Sequence, residues 1–182
     1  MTELAVVVEV APKRSFACAL WFPGWFGYGK TSELAIERLL EYRERYALIA
    51  KRARRALPLA SSLVVVEHLT GDSTTEFGAP GQIADAERSV SEADLRKLRA
   101  LQTACREAFR EASEIAPEEL RKGPRGGGRN TSKVADHVTE AEKAYASKLR
   151  RGAWPEAYYL RRSGYHYADH AWEIQDRSRP LR

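Results

Sequence analysis

His166-Tyr-Ala-Asp-His170 places two imidazoles at i and i+4. That spacing stacks them on one helix face, where two ring nitrogens can share a metal ion. His137 falls on the stripe Val134, Val138, Ala141 and Tyr145 of the preceding helical segment, so it points inward. Gly152 to Pro155 reads as the turn between them. Counted from that turn at about 1.5 Å per residue, His137, His166 and His170 stand at heights of roughly 22, 16 and 22 Å. In an antiparallel helix hairpin all three converge. Three imidazoles with an open fourth position suit Zn, Ni or Fe, and a metal so held ionises a bound water or thiol near neutral pH. Glu140, Tyr165, Asp169 and Glu173 are near enough in sequence to orient the ligands or move protons. The plainer alternative pairs His137 with Glu140 and His170 with Glu173 as ordinary carboxylate-satisfied histidines. His166 is followed by Tyr167, not Glu, so the zinc-protease helix motif is absent, and so is the Glu-x-x-His pair of di-iron bundles. His68 stands alone.

A second constellation is Gly24-Trp-Phe-Gly-Tyr-Gly29-Lys30-Thr31, which matches G-x-x-x-x-G-K-[ST] between a predicted strand and a predicted helix. Backbone N–H groups of such a loop cradle phosphate, with Lys30 reaching the terminal phosphates and Thr31 holding magnesium, the equipment of an NTPase or small kinase. Against it, Trp25, Phe26 and Tyr28 occupy positions that must wrap phosphate closely, and the strand–helix alternation of a parallel sheet stops after the third strand. Cys18 and Cys105 form neither a disulfide framework nor a CxxC pair.

The elements that must carry these residues follow from periodicity. Leu4 to Val10 and Phe16 to Phe22 read as two strands, and Leu63 to Glu67 as a third. Between them Thr31 or Ser32 caps a helix ending near Leu57-Pro58. Residues 1–70 are thus a β-β-α-β unit, residues 71–89 a linker, and residues 90–182 a set of helices. Ser91 with Asp94 forms a capping box and Val90 with Leu95 a staple, opening a helix to about Ile115. Pro117 and Lys122 to Asn130 interrupt. A helix from Asn130 or Thr131 to about Arg151 and a last one to about Arg177 complete an α+β fold with an antiparallel helical bundle.

The chain has 182 residues, 43% of them hydrophobic, enough for a core and too many for wholesale disorder. No apolar stretch approaches the ~20 residues a bilayer requires and no leader precedes a cleavage site, so a cytoplasmic protein without membrane contact is expected. The net charge of +5 invites a nucleic-acid partner. Its distribution argues otherwise: Lys/Arg and Asp/Glu number ten and six over residues 1–58, one and five over 59–90, and nineteen and fourteen over 91–182, interleaved throughout. Two basic clusters remain, Lys51 to Arg55 at a helix end and Arg121 to Arg129 in a Gly-rich loop. They read as a counter to the helix dipole and a solvated loop.

Two resemblances extend this reading. Residues 1–68, with Pro23, Gly24, Gly29, Thr31 and Ala35 in the segment SFACALWFPGWFGYGKTSELAIERLLEYRERY, resemble the HicB-type antitoxin N-terminal fold. That resemblance implies a docking surface for a protein partner. KVADHVTEAEKAY and YHYADHAWEIQDR are similar to segments of the DinB/YfiT-like metal-dependent bundles. That family binds a divalent metal through three histidines, matching His137, His166 and His170, and several members are S-transferases or isomerases that use a low-molecular-weight thiol. Its usual longer segment between the first His and H-x-x-x-H is a turn here, which implies either a reduced thiol pocket or one completed by the N-terminal part or by a second copy in a homodimer.

Overall fold

Leu4–Val10 (β1) alternates, with Leu4, Val6 and Val8 on one side and Ala5 and Val7 on the other, and both sets are buried. A strand apolar on both faces belongs in the middle of a covered sheet. The computed structural model describes residues 3–82, 90–123 and 128–178, so part of the expected linker 71–89 and of the basic stretch Arg121–Arg129 lies outside the described residues. β1 pairs antiparallel with Ser15–Ala19 (β2), Val7 opposite Cys18, and parallel with Leu63–Thr70 (β4). Phe26–Gly29 (β3) pairs antiparallel with β2, giving the order β3-β2-β1-β4.

A parallel neighbour needs a crossover. Ser32–Glu41 (α1) and Arg43–Arg52 (α2) supply it, with Thr31 Oγ1 accepting from the Leu34 N–H as the expected N-cap. The single helix expected here is interrupted at Tyr42. Trp25 Nε1 donates to the Leu39 carbonyl at 2.7 Å, and a side-chain donor entering the ladder is a recognised cause of such a break. The helix also stops at Arg52, short of Leu57-Pro58.

Within the expected linker, Ser73–Phe77 (α3) is a short helix with an Asp72–Thr75 capping box. It is followed by Glu92–Ile115 (α4), Thr131–Arg150 (α5) and Glu156–Ser178 (α6). The Ser91 and Asn130 caps form as the sequence indicates. Phe16 and Phe26 of the sheet lie against Tyr165 of α6, at ring distances of 5.3 and 4.6 Å, and Phe26 stacks on Trp172. Leu160 of α6 packs with Leu98 of α4. Val6, Leu39, Leu101, Val138 and Ile174 belong to one continuous core, so sheet and helices share an interior. Gly24 and Gly164 lock the two halves: a Cβ on Gly164 would sit 2.6 Å from Pro23 Cβ, and one on Gly24 2.7 Å from Cys105 Sγ. The Pro23 carbonyl accepts from Tyr46 Oη at 2.8 Å and faces the Cys105 thiol at 3.2 Å.

The Gly24–Thr31 segment is built as a strand running into a helix start. Four of its residues form β3, and a Cβ on Gly27 would lie 2.3 Å from the Ala35 carbonyl, so the glycines let α1 rest on the strand instead of cradling an anion. Lys30 is exposed and Thr31 is spent on the helix cap.

Candidate metal centre

The α5–α6 hairpin turns at Gly152 and brings His137 of α5 against His166 and His170 of α6. Each residue offers one ring nitrogen, and the three nitrogens lie within 4.8 Å of one another. The rings stand edge to face, their centroids 4.8 to 5.3 Å apart. His166 and His170 are buried and His137 is partly exposed. His137 Nε2 and His166 Nε2 are 3.4 Å apart. Two donors on a tetrahedral ion at about 2.0–2.1 Å from each would be separated by about 3.4 Å.

The far side of each α6 imidazole is occupied by a carboxylate. Glu142 Oε1 lies 3.2 Å from His166 Nδ1, and Glu173 Oε2 lies 2.8 Å from His170 Nδ1. An ionised carboxylate only accepts, so the imidazole Nδ1–H is the donor in each pair, and for a neutral His166 that leaves the Nε2 lone pair facing His137 Nε2. Each carboxylate is itself fixed. Ser163 Oγ donates to Glu142 Oε2 at 2.5 Å and receives Gln102 Nε2 from α4 at 2.9 Å. Arg177 donates to Glu173 Oε1 at 2.6 Å and, from the same guanidinium, to the carbonyls of Arg121 and Arg129. Such outer partners orient metal-binding histidines and raise their basicity.

The electrostatics favour neutral His137 and His166. Burial, then the neighbouring His170, pushes His137 down to about 4. Burial also lowers His166, against the opposing pull of Glu142. Glu173 is held down to about 2: burial alone would raise it, but the hydrogen bonds and charges of His170 and Arg177 outweigh burial.

Of the groups expected around the ligands, only Glu173 has a hydrogen bond to one of them among the described residues. Glu140 is exposed. Tyr165 faces the sheet, donating to the Gly78 carbonyl at 2.6 Å, and its hydroxyl is 3.4 Å from Asp169 Oδ2. The carboxylate that serves His166 is Glu142, absent from the sequence reading. Its signal was an acidic residue four after Val138 and three before Tyr145, on an otherwise apolar stripe. Tyr145 forms a wall beside His166, with ring centroids 5.5 Å apart, and the Arg162 guanidinium covers Tyr145. His68 is exposed on β4, away from this cluster.

The chain is an α+β protein carrying a three-histidine cluster in a helix hairpin. No protein-family model matches it, and neither a curated protein nor a solved structure shows significant similarity to it.

Proposed function

We propose that the protein binds one divalent metal ion through His137, His166 and His170. The observation that carries this reading is the convergence of one ring nitrogen from each of the three histidines within 4.8 Å, with the Nδ1 atoms of both α6 histidines held by carboxylates. The donor set suits Zn, Ni or Fe, and a metal on three imidazoles supplies Lewis acidity and a coordination position for a thiol or water. On this reading residues 90–182 are a DinB-like bundle, the reaction is thiol-dependent transfer or metal-assisted hydrolysis, and the HicB-like residues 1–70 complete the pocket or engage a protein partner. The chain's own contribution is to fix ring orientation through Glu142 and Glu173 and to keep the α6 rings buried.

A second reading rests on α5, whose buried residues are only Thr131, Val134 and Val138. The same ion would then fasten a weakly buried helix to α6, a structural metal in an interaction protein.

Metal content and affinity of the wild type, His166→Ala and His170→Ala test the proposal. About one ion per chain is expected in the wild type after supplementation, with either substitution abolishing it. A wild type that takes up no metal overturns both readings. Metal uptake with an unchanged unfolding midpoint removes the structural one.

A further inference from the structure

Three helices of this fold end in the same way. After α3, the Gly78 N–H bonds the Thr75 carbonyl and the Ala79 N–H the Thr74 carbonyl; after α5, Gly152 bonds Leu149 and Ala153 bonds Lys148. After α2, Arg54 bonds Lys51 and Arg55 bonds Ala50. The pivotal residue is left-handed each time, with φ 97, 69 and 54. Glycine takes that conformation without a Cβ penalty. At the third end an arginine takes it, the one non-glycine residue with positive φ among the described residues. A side chain in that conformation costs backbone stability that glycine would not.

That guanidinium shares an open groove of about 420 Å³ with Arg43, Lys51 and Arg55, floored by Ala47 and Leu57, and no carboxylate lines it. Arg43 is occupied by Glu44 at 3.2 Å and the Pro58 carbonyl. Lys51, Arg54 and Arg55 have no ion pair among the described residues, a state they share with exposed cations elsewhere such as Lys133 and Arg150; what sets them apart is that they line one groove together. The helix dipole accounts for a cation in the last turn. It does not account for a strained arginine one residue past the cap and another after it.

We propose that this groove binds a phosphorylated small molecule. Lys51, Arg54 and Arg55 take the phosphoryl oxygens, with the guanidinium forks matching their geometry, and the apolar part of the ligand lies on Ala47 and Leu57. Lys51, Arg54 and Arg55 line one open surface groove together, and no carboxylate lines it to compete for a phosphoryl group. None of these residues belongs to the histidine cluster, so the proposal stands apart from the metal reading.

Calorimetric titration with inorganic pyrophosphate, alongside thermal unfolding, tests it on three chains: wild type, Arg54→Gly and the Lys51→Ala/Arg55→Ala double variant. Arg54→Gly should raise Tm by about 2–4 °C and weaken pyrophosphate binding at least about tenfold. The double variant should lose binding while keeping the wild-type circular dichroism spectrum. Four results overturn the proposal: no wild-type binding at millimolar pyrophosphate, equal binding of sulfate, unchanged binding in Arg54→Gly, or a single-stranded oligonucleotide outcompeting pyrophosphate with a steep salt dependence. The last would make the groove a nucleic-acid face.

Discussion

Glu142 holds His166 at Nδ1, and Ser163 and Gln102 hold Glu142. Replacing it by Gln keeps the shape but removes the charge that strengthens the imidazole as a donor. Glu142→Gln should therefore weaken metal binding about 10- to 100-fold, between wild type and His166→Ala, in a chelator-competition titration. Equal affinity would deny Glu142 its orienting role. Protons compete for the same rings. Without metal, His137 and His166 are neutral in the fold because burial lowers both, His137 to about 4, while in the unfolded chain they protonate around 6.5. The unfolded state then binds more protons below that value, so the metal-free protein loses stability as pH falls from 6.5 toward 4. Glu173, held at about 2 against 4.5, adds a further loss between those values. Urea midpoints at pH 7.5 and pH 5 check this, and an unchanged midpoint contradicts it. The histidines were legible because their spacing has one helical meaning. Glu140 is the carboxylate that nearness to His137 suggests, but the ring on the next helix is met by Glu142, because distance along the chain is a poor guide to which carboxylate faces a neighbouring helix.

Among the elements, the legible ones carried end signals. β1, α4 and α5 begin where the sequence places them because alternation or a Ser91 or Asn130 cap marks the start. β3 was hidden: Phe-Gly-Tyr-Gly is too short to show alternation, and its glycines serve the helix above, with a Cβ on Gly29 meeting Leu34 Cβ at 2.6 Å. The break at Tyr42 was hidden as well, since it depends on an indole seventeen residues earlier in the chain (42 − 25). α6 is held close to the Pro23-Gly24 turn by the missing side chain at Gly164. Gly164→Ala should destabilise the fold by about 1–3 kcal/mol, measured by chemical denaturation, because Pro23 cannot yield without moving the turn. A neutral effect would show that α6 and the turn can part at no cost.

At the scale of the whole molecule, the α+β class and the helix hairpin were readable from the order of periodicities, while the embedding of α6 between sheet and helices was not. Its burial on several sides depends on Phe16, Phe26, Leu98 and Val138, residues far away in the chain that periodicity cannot bring together. A shared core predicts one unfolding transition, with tryptophan fluorescence and far-ultraviolet circular dichroism coinciding. Two separated transitions would mean that the sheet and the helices fold independently. Among the described residues no helix is long and apolar enough to cross a membrane. The central claim is that the hairpin's three imidazoles hold one metal ion, and X-ray absorption spectroscopy of the metal-loaded protein reads that shell directly. The account predicts three histidine nitrogens at about 2.0–2.1 Å for zinc, falling to two or fewer in His170→Ala. A shell without histidine scattering, or one unchanged by that substitution, would contradict it.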